Sequence, residues 1–212
     1  MSPLRHTASV CAVGAIVLTG CITGERPTLA EQAADGTPTG DAAVDAVLSR
    51  LEAIDGSVFT AEYDITNRFG EVSRTATVAQ ADDGRRSITI GDVRFLTGVT
   101  EPATCNLVSA TCTATIDDAD VSDLQVTHQF YGRSTASRLR IDAARNDAPA
   151  EPSTTEIAGQ PATCVTVPVS GGSKEYCALD SGALARYDGP DVTIELTAYS
   201  SVTDQSLFTH PG

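Results

Sequence analysis

Residues 41–65, DAAVDAVLSRLEAIDGSVFTAEYDI, change hydrophobic period once, and that change decides the fold class. Val44, Val47, Leu48, Leu51 and Ile54 recur at helical spacing, with Asp45, Ser49, Arg50 and Glu52 on the other side. Asp41 is suited to cap the helix start and Gly56 to end it. From Ser57 the period becomes two: Phe59, Ala61, Tyr63 and Ile65 alternate with Thr60, Glu62 and Asp64, as in a half-buried strand. The one-sided helix stripe must cover something apolar, and a one-sided sheet supplies it. The class is α+β.

Downstream the strand pattern continues. Asn67-Arg68-Phe69-Gly70 is turn chemistry, and residues 72–80 (VSRTATVAQ) run back. Asp82-Asp83-Gly84 turns again, before strands over residues 85–90 and 93–96. Residues 105–112 (CNLVSATC) read as a clasped hairpin. Val121 and Leu124 predict a second helix within residues 117–131, after Asp120. Leu139 and Ile141 share a face if residues 137–143 form a strand, and Pro149 and Pro152 make residues 144–153 a loop. The last third predicts short strands at 154–158, 162–170, 174–179, 183–187 and 192–198, divided by Gly159-Gln160-Pro161, Gly171-Gly172 and Ser181-Gly182. Short strands joined by tight turns imply an antiparallel sheet.

Upstream, residues 22–40 are small and polar, with no apolar period, and read as a flexible tether. A coil of that length spans about 25 Å root-mean-square. Before it, Arg5 and His6 precede the apolar run Ala8–Leu18. A cationic start and a short apolar core define a secretory signal, too short for a spanning helix. The run ends in Leu18-Thr19-Gly20-Cys21, which resembles the bacterial, actinobacterial-type lipobox. That resemblance implies cleavage before Cys21 and fatty acylation, palmitate included, on its sulfur. The organisation expected is a lipoprotein signal peptide over 1–20, a lipidated tether over 21–40 and one domain over 41–212, at the extracytoplasmic face of the cell membrane.

Without residues 1–20 the chain holds 13 Lys+Arg against 28 Asp+Glu, a net charge of −15. That excess excludes nucleic acid and electrostatic binding to anionic headgroups, so membrane attachment falls to acyl chains, two or more for a stable anchor. Four cysteines follow Cys21: Cys105, Cys112, Cys164 and Cys177. An even number in an exported chain reads as a disulfide framework. Of three pairings, Cys105–Cys112 with Cys164–Cys177 is favoured, because each closes a short local loop, contributing roughly 2–3 kcal/mol apiece. Metal is not expected: no C-x-x-C occurs, and only His128 and His210 remain.

No catalytic constellation is legible and no cofactor is implied. His128 and His210 lack a neighbouring nucleophile motif and read as surface residues. Asp82-Asp83 and Asp117-Asp118 read as solvated turn acids, and Gly171-Gly172-Ser173 as a hairpin turn. Arg85-Arg86 and Arg138/Arg140 read as basic islands on exposed strand faces.

The order of elements supplies a wider resemblance. A tether, an amphipathic helix, a phenylalanine-led strand (SVFTAEYDI), a long meander and a late GALARYDGPDVTIELTAYSSV pair resemble the LolA/LppX/LprG-type lipoprotein superfamily, most closely at Gly182, Leu184 and Arg186. That family implies an open antiparallel β half-barrel, a curved sheet with one or two covering helices. Its pocket would be lined or lidded here by Val44, Val47, Leu48, Leu51, Ile54, Phe59 and Tyr63. It further implies a non-enzymatic protein that binds or carries an amphipathic lipid or glycolipid. The alternative is a tethered module with a solid core that binds an envelope protein. The absence of Trp, the single Met and the presence of only five Phe depart from the family pattern, because a roomy lipid cavity needs many large apolar walls, and they bring the solid-cored alternative close to the lipid-binding reading. A hydrolase with scattered residues is a weaker third reading. The anchor is tested by Cys21→Ala, which should leave an uncleaved precursor that incorporates no labelled fatty acid; normal processing of that variant contradicts the lipobox.

Overall fold

The alternating run that begins at Phe59 becomes the middle of a single sheet. The computed structural model describes residues 36–98 and 101–209; Cys21, the signal segment, most of the tether and His210 lie outside the described residues. Strands are β1 (Phe59–Asn67), β2 (Val72–Gln80), β3 (Arg86–Ile90), β4 (Val93–Thr97), β5 (Ala103–Asn106), β6 (Thr111–Thr113), β7 (Glu151–Ile157), β8 (Gln160–Val169), β9 (Gly172–Leu179), β10 (Leu184–Asp188) and β11 (Val192–Ser200). Their order is β6-β5-β4-β3-β2-β1-β11-β10-β9-β8-β7. Every pairing is antiparallel. First and last strands therefore meet at the centre, and β6 and β7 form the two open edges. Register shifts at Glu62/Tyr63 and at Leu184/Arg186 are bulges that bend the central strands. The result is a curved, unclosed half-barrel.

The expected first helix is α1 (Ala42–Glu52), capped by Asp41 and continued by a 3-10 turn over Ala53–Gly56. The Asp41 carboxylate accepts from the amides of Ala43 and Val44 at 2.9 and 3.3 Å. Its apolar stripe is fully buried on the sheet. Each of those side chains contributes roughly 1.5–3 kcal/mol on burial. Two stretches differ from expectation. Residues 137–143, expected as a strand, belong to α2 (Arg133–Ala143), while the expected helix after Asp120 is only a 3-10 segment, Asp118–Leu124. The buried stripe of α2 is Thr135, Ala136, Leu139 and Asp142, so half of it is polar. Leu139 and Ile141, read as one strand face, are split between that stripe and a half-exposed flank. The 3-10 segment stops where Gln125 enters the left-handed region at φ 57, a conformation nothing in its residue type announces. β7 also begins earlier than expected, at Glu151, and takes in Pro152.

The tether's last residues are hydrogen-bonded to the helices. The amide of Gly36 donates to Glu52 at 2.9 Å, Thr39 bonds Asp45 through both its amide and its hydroxyl, and Arg140 donates to the Thr37 carbonyl. No described helix is long and apolar enough to cross a membrane.

Both favoured disulfides are present, Cys105–Cys112 across β5–β6 and Cys164–Cys177 across β8–β9. Tyr176 faces α2, where its hydroxyl donates to Asp142, so its neighbour Cys177 points to the opposite face. Cys105 likewise pairs with Arg94 on the side opposite buried Phe95. Both bridges therefore lie on the face without α-helices. There Cys105, Leu96 and Ala103 form a small second cluster. The chain end runs along this side: Arg85 lies over the Phe208 ring at 4.8 Å, Arg94 donates to the Thr209 carbonyl, and Thr203 to that of Gln80.

The turn at Ser181-Gly182 fits under the end of α1. A Cβ on Gly182 would stand 2.6 Å from the Arg50 carbonyl oxygen and 3.0 Å from Ile54, at a φ of +89°. Gly159 has a similar φ of +71° and open space around it. Gly159→Ala should cost about 1–2 kcal/mol, the left-handed penalty alone. Gly182→Ala should cost more, about 3–4 kcal/mol, because backbone must move. Equal losses in denaturant unfolding would mean that α1 does not pack on this turn.

Candidate functional site

The seven residues expected to line or lid a pocket do come together. Val44, Val47, Leu48, Leu51, Ile54, Phe59 and Tyr63 are all 0–2% exposed and share one core. Other described side chains pack against them. The connection from β6 to β7 crosses the concave face and fills it with Val121, Leu124, Phe130, Tyr131, Ala136 and Leu139. Phe130 meets Tyr63 edge-on at 5.1 Å, and Tyr131 meets Phe59 at 6.1 Å. Aromatic contacts of this kind add about 0.5–1.5 kcal/mol each beyond burial.

Polar bonds pin this crossing segment along its length. The Leu184 amide donates to the Tyr131 carbonyl at 2.9 Å. Asn67 donates to the Asp123 carbonyl at 2.5 Å, and Arg74 pairs with the Asp123 carboxylate at 2.8 Å. His128 was expected at the surface; instead its ring is largely buried, lies tilted against Phe95 at 5.6 Å, and bonds Asp118 at 3.0 Å. Asp118, expected to be a solvated turn acid, also accepts from the His128 amide at 2.6 Å. Asp83 fits its turn reading, accepting from the amide of Arg85 at 3.1 Å.

The basic islands are structural. Arg86 and Arg133 converge on Asp55, joining β3, the end of α1 and the start of α2. Hydrogen bonding from Arg133, with the charge of Arg86 beside it, holds the Asp55 carboxyl below its usual range. Arg140 and Arg138 lie on a helix and not on a strand face: Arg140 pairs with Glu52, and Arg138 lies over Tyr187 at 4.9 Å. Asp142, nearly buried on α2, takes Lys174 at 2.8 Å and the Tyr176 hydroxyl. Sequence reasoning missed this last trio, because Asp142 lies more than 30 positions from both Lys174 and Tyr176. The crossing aromatics left one signal, the adjacent pair Phe130-Tyr131 in an otherwise polar stretch.

Two depressions differ in size and lining. A depression of about 80 Å³ lies between Phe130, Arg138, Tyr187 and Ile194, well under the roughly 300–1,000 Å³ of ligand sites. A second, of about 490 Å³, is open to solvent and lined by polar residues such as Thr39, Asp41, Asn146 and Asp147. Cys164, Glu175 and Cys177 bring three potential metal-ligand atoms within 4.8 Å. Both sulfurs are committed to the disulfide and offer no thiolate.

No protein-family model matches the chain, and no curated protein sequence matches it. Solved structures do. A chain of the Pseudomonas aeruginosa MucA/MucB complex superposes with a TM-score of 0.51 at 14% identity, covering 79% of this chain and 60% of that one. MucB alone gives 0.50 at 14% identity, covering 80% and 63%. The chain thus spans about three-fifths of the length of these proteins and shares their fold. The Mycobacterium tuberculosis lipoprotein LppX is also matched, with a TM-score of 0.39 at 12% identity, over 76% of this chain and 96% of that one.

The tyrosines report on the filled face. Burial pushes Tyr131 up to about 12 and raises Tyr63, Tyr176 and Tyr187 above the usual range, Asp142 adding to the effect at Tyr176. A raised folded pKa means that the stabilisation is complete below about pH 10 and is lost as pH rises above it. Ultraviolet titration should therefore show these four phenols ionising only with alkaline unfolding. Reversible ionisation of these four near pH 10 in the folded protein would mean that the concave face is open to water.

Proposed function

We propose that this chain is a lipoprotein of the cell envelope, acylated at Cys21 and held at the extracytoplasmic face, whose domain binds another envelope protein and carries no lipid. The observation that carries this reading is the filled concave face. Phe130 and Tyr131 occupy the space over Phe59 and Tyr63 where an acyl chain would otherwise lie. The fold shared with MucB is compatible with it, since that protein is known in complex with MucA. Net acidity keeps nucleic acid off the list of partners. The role is non-enzymatic and needs no cofactor.

A lipid carrier would have to lift residues 121–131 from the sheet. That movement breaks the Asp123 contacts and exposes Val121, Leu124, Phe130 and Tyr131, each costing roughly 1.5–3 kcal/mol of apolar burial. Native mass spectrometry of the full chain, extracted from its own membrane, separates the readings. A mass accounted for by the polypeptide and its anchor lipid is expected. A second lipid bound in near-stoichiometric amount would overturn the proposal in favour of a carrier.

A further inference from the structure

The two edges of the sheet are unlike each other. β6 has three residues, is bridged to β5 by a disulfide, and leads straight into the crossing segment. β7 has seven residues, and its side chains from Glu151 to Glu156 are all exposed. Its hydrogen-bonding phase follows from the bridge two strands away. Cys164 and Cys177 are opposite each other with Cα atoms 4.0 Å apart, the narrow pair that exchanges no backbone bonds. The amide and carbonyl of Cys164 therefore point to β7, where Ser153 is the partner. The β7–β8 register is continuous, so Glu151, Ser153 and Thr155 bond inward, while Pro152, Thr154 and Glu156 turn outward.

Three prolines agree with this phase. Pro152 turns its nitrogen away from β8. Pro161 turns its nitrogen towards β9, beyond that strand's last residue, Leu179. Pro168 turns towards β7, beyond its first residue, and the Pro168 carbonyl accepts from Asp147 on that side. None of them removes a ladder bond.

We infer that β7 is a docking edge for an extended, basic segment of a partner protein, which adds a twelfth strand through Thr154 and Glu156. This rests on the protein-binding reading above and names its site. Two amides and three carbonyls, counting that of Pro152, are available in the right alternation. Ser153, Thr154 and Thr155 suit a strand, and Glu151 and Glu156 set its charge. A second copy of this chain is a poor occupant: it brings the same acidic charge, and antiparallel pairing centred on Thr154 would set Pro152, without an amide, opposite Glu156. A basic segment meets complementary charge instead.

The test uses the folded chain and two short synthetic peptides, one alternating lysine with valine and the other glutamate with valine. The lysine peptide should bind, slow amide exchange at Thr154 and Glu156, and weaken with salt. Thr154→Pro removes an outward amide without touching the β7–β8 ladder and should weaken binding at least about tenfold. Should that variant not fold, Glu151→Lys with Glu156→Lys tests the same edge: preference should reverse towards the glutamate peptide. The inference is overturned by equal binding of both peptides, by no binding up to about 1 mM, by protection elsewhere than β7, or by dimerisation of the chain through this edge. Those outcomes leave the filled-core reading intact, whereas a co-purifying lipid strikes that reading and not this edge.

Discussion

An open sheet of eleven strands has an apolar concave face that water must not reach, and the rest of the molecule is arranged around covering it. A closed barrel would hide that face from itself; this sheet stops at β6 and β7, which do not pair. Cover comes from α1, packed by its buried stripe, and from the long connection between the two edge strands. That connection has to cross from one side of the sheet to the other in any case, and here its crossing supplies Phe130, Tyr131 and Leu139 as core. Topology and burial are satisfied by the same segment. The same economy separates a solid domain from a pocketed one, since a connection with smaller side chains would leave space in the same half-barrel.

The other face has no helix layer. The two disulfides lie there, each on an outer hairpin, and the final residues run across β2 to β4. The β5–β6 cross-link holds an exposed edge strand that has little apolar packing to rely on, while the β8–β9 one staples a hairpin already packed in the main core. The ion pairs divide in a similar way. Asp55, Glu52 and Asp142 join helices to each other or to the sheet from partly buried positions, where truncating one partner leaves a charge poorly solvated. Pairs such as Arg68–Asp188 are exposed and contribute little. Because so many arginines are engaged in this way, the acidic excess is left on the surface, Glu62 and Asp64 of β1 among it. Partners that suit such a surface are basic ones.

Much of the architecture was legible before the structure. The residue 41–65 passage specified a capped helix and then a strand, because a helix stripe and a strand face are local periodicities of three to four and of two. Turn residues located most hairpins for the same reason: Asp82-Asp83-Gly84 and Gly171-Gly172 act within a few positions. Spacing also favoured the cysteine pairing that the two hairpins make. The stretch from Asp117 to Ala143 was misread because its buried stripe contains Thr135 and Asp142. Those groups are tolerable in a core only through the Phe130 carbonyl, five residues back across an irregular turn, and through Lys174 and Tyr176, which lie elsewhere in the chain.

The candidate site divides along that same line. Sequence alone determined which residues of α1 and β1 would face inward, since inward is a property of one element and its period. Whether they face a ligand space or other side chains is a property of volume, and volume depends on what crosses the concave face from positions 60 to 80 residues away. Only the tertiary structure placed Phe130 on Tyr63 and Tyr131 on Phe59, closing the space. It also decided the phase of β7, because the direction in which an edge amide points is set by the pairing of its neighbours and not by its own side chain.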